Sequence, residues 1–138
     1  MLTTLPSRLP LKRMAAIDLD SIRAQLDAAR RSWGELGEAV VDTGKTFGDG
    51  EPVLVTVAKR GRRYLVSDRG RAVDKAGRPR GWHAAAADAV AAEALNVNRR
   101  GAVFVPAVEG GLDLAWLVAR VADVALLVYE ELLELDQG

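Results

Sequence analysis

Residues 52–70 read PVLVTVAKRGRRYLVSDRG, and this stretch decides the fold. Val53, Val55 and Val57 alternate with Leu54, Thr56 and Ala58, the period of two expected of a strand whose successive side chains point to opposite faces. Tyr64 to Ser67 form a second β-rich run. Between them KRGRR supplies a glycine-bearing turn, so the spacing predicts a β-hairpin with a basic tip. Asp68, followed two residues later by Gly70, suits a tight turn that closes the second strand.

Outward from the hairpin the pattern changes. Asp18 and Asp20 stand where an N-cap and a first-turn acid favour a helix start. Leu19, Ile22, Leu26, Ala29, Trp33, Leu36 and Val40 then recur at alternating spacings of three and four, one helical stripe. Gly34 and Gly37 weaken its last turn and predict an end between 33 and 38. DTGKTFGDGE (42–51) reads as turn, and DRGRAVDKAGRPRG (68–81) as a loop. WHAAAADAVAAEAL (82–95) is strongly helix-forming, with Asn96 as its stop, and NVNRRGAVFVPAVEGG (96–111) reads as a second hairpin turning at Arg99 to Gly101.

A last helix is predicted from about Leu112 to Leu135. Its polar residues Asp113, Arg120, Asp123, Glu130, Glu131 and Glu134 fall in one stripe, which leaves most of the circumference apolar. Such a helix must be covered, by the first helix and the Ala-rich helix or by a second copy of the chain. A homodimer is expected, with Trp116 and Leu127 at its interface. The fold class is therefore α+β: a small antiparallel sheet of two β-hairpins packed with an N-terminal helix, an Ala-rich middle helix and a long apolar C-terminal helix.

Composition sets the outer bounds. A chain of 138 residues with 49% hydrophobic and 28% charged residues can bury one core. The expected division is an N-terminal arm over residues 1–17, loose or docked on a partner, and one α+β domain over 18–138. That arm has prolines at 6 and 10 and no apolar run of seven, so it does not read as a secretory signal. The absence of cysteine removes disulfides, thiolate metal sites and cysteine nucleophiles, and is compatible with a cytoplasmic location. The charges interrupting the last helix argue against a membrane span.

Charge is segregated in a chain whose formal net charge is zero. Residues 59–80 hold nine basic residues and two acidic ones, whereas 109–138 hold seven acidic residues and one basic. Lys59, Arg60, Arg62 and Arg63 cluster at the hairpin tip, and Arg69, Arg71, Lys75, Arg78 and Arg80 follow. Arginines on tips and loops reach phosphates and give affinity without reading bases. Arg99 and Arg100, at the second hairpin's tip, strengthen this if they share a face with the first, and Tyr64 and Trp82 are the candidate stacking residues. The bland counterpart is a solvated hairpin whose charges pair with the acidic C-terminal helix.

Chemistry is poorly supplied. GKT at Gly44 to Thr46 is not a P-loop: the motif needs a glycine where Ala39 stands, and it follows a strand rather than preceding one. His83 is the only histidine, so any acid–base scheme must use it. Ser67, Asp68 and His83 contain the residue types of a nucleophile, orienter and base, but no strand–elbow–helix context surrounds Ser67. No metal site or cofactor is expected, with one histidine and no clustered ligand spacing.

The order of parts carries a resemblance. A strand pair ending in YLVSDRG (64–70), a polar loop, a helix, LNVNRRGAVFV (95–105) and a long apolar helix together resemble an uncharacterised domain family of bacterial and phage proteins. In that family a strand ends in an Asp-Asp-Gly-like turn, and a helix, a hairpin and a C-terminal helix follow. Ser67, Asp68 and Gly70 match the turn, with Arg69 in place of its second acidic residue; Leu95, Val97, Gly101 and Val103 match the hairpin. The resemblance covers residues 50–135 and brings no activity with it. It implies an association with phages and mobile elements, where small accessory proteins bind nucleic acid or another protein.

Three functions follow as expectations. The first is a non-enzymatic accessory protein, homodimeric, that touches nucleic-acid phosphates through the basic hairpin and loop. The second is an interaction module whose hairpin docks an acidic protein surface. The third, more remote, is a hydrolase using Asp68 and His83.

Overall fold

The computed structural model describes residues 18–111 and 113–137; the expected arm over 1–17 lies outside them. Helix α1 runs Leu19–Arg30, followed by strands β1 Leu36–Thr46, β2 Pro52–Arg60 and β3 Arg63–Ser67. Helices α2 Arg71–Ala76 and α3 Trp82–Ala92 come next, then β4 Asn96–Val97, β5 Val103–Val108 and helix α4 Leu114–Gln137. The class is α+β, as the sequence predicts. The strands form one antiparallel sheet in the order β1-β2-β3-β5-β4.

The predicted first hairpin is β2–β3, with Val57 opposite Val66 and Arg60 opposite Arg63. The second is β4–β5, and β5 joins the first hairpin along β3. The first helix is shorter than its stripe suggests. Asp18 caps it through the backbone N–H groups of Asp20 and Ser21, and it ends at Arg30. Leu36 and Val40 belong instead to β1, which occupies residues read partly as helix and partly as turn. A Cβ on Gly37 would collide with the Trp33 ring, so the indole lies on bare backbone at the start of the strand. The segment read as a loop contains the six-residue α2.

Register divides the sheet into two faces. Val41, Val53, Val55, Val57, Val66 and Val103 lie on one, all essentially inaccessible, and α4 packs across them. Helices α1, α2 and α3 pack on α4 in turn, so the described chain itself covers the apolar circumference that called for a second copy. Leu127 accordingly sits buried in this core, while Trp116 is 44% exposed. Arg120 on α4 donates to the buried Glu93 carboxylate at 2.7 Å and ties down the end of α3. Among the described residues no helix is long and apolar enough to cross a membrane.

The edges are closed in different ways. At β1, Gln25 of α1 donates through Nε2 to the Asp42 carbonyl (2.8 Å) and accepts the Asp42 N–H at Oε1 (2.9 Å). At the far side β4 is two residues long, and Pro106 interrupts the row of donors on β5.

Candidate functional site

The second sheet face has no helix on it among the described residues. Its rows, read from β1 to β5, are Leu36, Arg60, Arg63 and Val108; then Glu38, Ala58, Leu65 and Pro106; then Val40, Thr56, Ser67 and Phe104. Among the described residues six large apolar side chains are exposed, and four of them, Leu36, Val40, Leu65 and Val108, share this face. Thr56 and Ser67 lie on it too, yet are only 1% and 3% exposed. What covers them is the turn after β3.

That turn is built around Asp68, itself 1% exposed. Its Oδ1 accepts the N–H groups of Gly70 (2.8 Å) and Val103 (2.9 Å), and its Oδ2 accepts that of Ala72 (3.1 Å). One carboxylate thus joins the end of β3, the start of α2 and the start of β5. Burial pushes the Asp68 carboxyl above the ordinary Asp range, and the three N–H donors and the nearby Arg71 pull against it. Arg69 takes a left-handed conformation (φ 58°), and its N–H donates to Ser67 Oγ at 3.0 Å. This conformation turns two arginines back onto the open face. Arg69 crosses to β1 and pairs with Glu38 at 2.9 Å. Arg71 donates to the Leu54 and Asp68 carbonyls at 3.3 Å and to Thr56 Oγ1 at 3.4 Å.

The basic residues singled out in the sequence therefore separate into groups. Arg60, Arg63 and Arg69 line one open cavity of about 530 Å³ with Leu65 and Asn98, and no carboxylate lies in its wall. Arg60 and Arg69 also border a second depression toward β1, of about 650 Å³, where Leu36 and Glu38 lie. Arg71 serves as a buttress beneath them. Arg62 is exposed at the tip, its carbonyl accepting the Glu109 N–H. Lys59 alternates to the covered side and donates to the Gly34 carbonyl at 2.6 Å.

The remaining cations lie elsewhere. Lys75 pairs with Asp49 at 2.6 Å. Arg78 pairs with Asp74, lies over the Trp82 ring and donates to the Arg100 carbonyl at 2.8 Å. Arg80, Arg99 and Arg100 are exposed. The second hairpin's tip meets the cavity through Asn98 rather than through its arginines. Its glycine is required, since Gly101 has φ 93° and a Cβ there would press on Val73 and Trp82.

Two aromatic expectations are corrected. Tyr64 is buried (7% exposed) on the covered face beside Arg30 and Glu109, so it presents no ring for stacking. Trp82 lies between Arg78 and His83. The aromatic residue on the open face is Phe104, which was missed because a hairpin strand read alone does not say which neighbour it joins. Asp68 and His83 have separate tasks: the carboxylate is spent on backbone donors, while His83 Nε2 lies 3.1 Å from the Asn98 carbonyl. Among the described residues no three His, Asp or Glu side chains gather as metal ligands.

With this geometry in view, the comparisons add no name. No family model, curated protein or solved structure matches the chain.

Proposed function

We propose that this chain is a non-enzymatic, cytoplasmic interaction protein that holds a nucleic-acid backbone against the open face of its sheet. The observation that carries the reading is the meeting of Arg60, Arg63 and Arg69 around one cavity, in whose wall no carboxylate lies among the described residues, with Glu38 bound to Arg69 at its margin. Guanidinium groups recognise phosphate oxygens through paired N–H donors, and they do so without titrating at any physiological pH. The near-neutral whole (pI 6.6) is no obstacle, because Arg60, Arg63 and Arg69 gather locally on one face and such a patch sets the potential that a ligand meets there. The turn around Asp68 supports the same reading, since its bonding fixes where Arg69 and Arg71 begin.

Anisotropy of labelled oligonucleotides, titrated at low and near-physiological salt, tests it. Arg69 is already paired with Glu38, so two phosphates neutralised by Arg60 and Arg63 predict log K falling with log salt by a slope of about 1.5 to 2. Arg60→Glu with Arg63→Glu should abolish binding while leaving the melting temperature nearly unchanged, because both side chains are exposed. Absence of binding at low salt would remove the proposal.

A second reading has its own observation. Leu36, Val40 and Val108 are 69%, 53% and 58% exposed on the same face, outside Arg60 and Arg63, which suits a protein partner with an acidic centre and apolar flanks. A homodimer through α4 is left with Trp116 as its exposed contact residue.

A further inference from the structure

Resting on the nucleic-acid reading, we infer that the ligand of the open face is a single-stranded segment, its backbone along the arginines and its bases laid on the apolar residues beside them. The arrangement of the face carries this. Arg60 and Arg63 stand on the two central strands, and Arg69 lies across them toward Glu38. Apolar strips border these arginines: Leu36 and Val40 on β1, on either side of Glu38, and Phe104, Pro106 and Val108 on β5, with Leu65 beside Arg63 on β3. Arginines set between apolar strips match a ligand that is charged along its spine and apolar on its flanks. An unpaired strand has that chemistry, because each base offers a π-face once it is not stacked in a duplex.

A duplex fits poorly. Between β1 and β5 the face spans three strand spacings, about 14 Å before side chains are added. A major groove about 12 Å wide admits a helix or a two-stranded ribbon, not a face of this breadth. Duplex phosphates could still touch the arginines, but the apolar strips would then be held against charged, hydrated backbone. A second copy fits poorly as well. A two-fold packing of this face on itself with the strands parallel would set arginines 60 and 63 of one chain near those of the other. Of the face's two acids on β1, Glu38 already pairs with Arg69, and Asp42 Oδ1 accepts the Gly44 N–H at 3.0 Å. Neither objection applies to an unpaired strand.

The test measures the full chain against a labelled thymidine oligonucleotide of about 12 nucleotides, a length within the range of single-strand sites, and against the same strand annealed to its complement. The expected result is single-strand binding at least about tenfold tighter than duplex binding. Leu65→Ser with Val108→Ser should weaken single-strand binding about tenfold, as the loss of base contacts predicts, without altering the salt slope. Circular-dichroism melts confirm that the variant is folded, and Phe104→Ala gives a second, independent probe of the apolar strip. Equal affinity for duplex and single strand, or an unchanged affinity in both apolar variants, would overturn the inference and leave phosphate binding standing. Binding of neither oligonucleotide would overturn the parent reading as well. Light scattering on the same samples showing a dimer that the Leu65 and Val108 changes dissociate would assign the face to a second copy, and overturn the inference.

Discussion

The two faces of the sheet are made of the same strands, residue by residue in alternation, and they have opposite fates. On one, Val53, Val55, Val57, Val66 and Val103 are sealed under α4. On the other, Leu36, Val40, Leu65 and Val108 stand in the open around three arginines. Both faces are apolar, so hydrophobicity alone does not say which is the core. The difference lies in the guanidinium groups. Arginines at 60, 63, 69 and 71 belong to the open face or are turned onto it, whereas the covered side takes Lys59 at its margin, bonded to the Gly34 carbonyl. A face that keeps apolar residues wet beside guanidinium groups is the kind of surface that the proposed function requires.

The largest break in this comparison is expected at Asp68. Replacing it by Ala leaves three buried N–H groups without their acceptor, on Gly70, Ala72 and Val103, and should cost about 3–4 kcal/mol in urea unfolding. The same change should weaken oligonucleotide binding in whatever fraction remains folded, since Arg69 and Arg71 lose their starting point.

A smaller effect separates the faces directly. Val66 is fully buried and Leu65 is 41% exposed, one residue apart on one strand. Val66→Ala should cost about 2 kcal/mol by removing buried methyl groups, and Leu65→Ala about 0.5 kcal/mol or less. Equal costs from paired denaturation curves would mean that the open face is covered in solution.

The smallest effect is in pH. The Arg23 guanidinium, bonded to Asp113 at 2.6 Å, holds that carboxyl below its usual range. A depressed folded pKa contributes stability above the unfolded value near 4 and loses it as pH falls through the folded value. The pair is half-exposed, so about 0.5 kcal/mol is expected. Asp68 has the opposite sign, its raised carboxyl favouring the folded state as pH drops toward the unfolded value. Asp113→Asn should therefore melt below the parent at pH 7 and close to it at pH 3. A gap that persists at pH 3 would show that the loss is not electrostatic.

The alternation of Val53 to Ala58 and the KRGRR turn made the central hairpin legible, and helix-forming alanines did the same for α3. Strand β1 was hidden for a physical reason. Its open-face residues Leu36 and Val40 are apolar, so they continue the helical stripe of α1 instead of marking a polar alternation. Helix α2 is six residues long, too short for periodicity, and is held by the Asp68 carboxylate rather than by its own pattern. The site was half legible. Charge counting found Arg60, Arg63 and Arg69, but also Lys59, Lys75 and Arg78, which bond within the chain away from the cavity, as Arg69 does to Glu38 at its margin. What sorts them is strand parity and the left-handed turn at Arg69, and neither follows from composition.

Gln25 gives the open face its licence. A sheet with one uncovered apolar face and a free edge would be a template for growth, each copy adding strands to the last. The Gln25 amide imitates a neighbouring strand for one residue, donating and accepting at Asp42, and so ends the ladder at β1 with a side chain. Pro106 interrupts it at the other margin. Because growth is opposed along the sheet's hydrogen-bonding direction, stickiness can be kept in the perpendicular direction, where the proposed ligand would arrive. Replacing that one amide would turn a question of recognition into one of solubility.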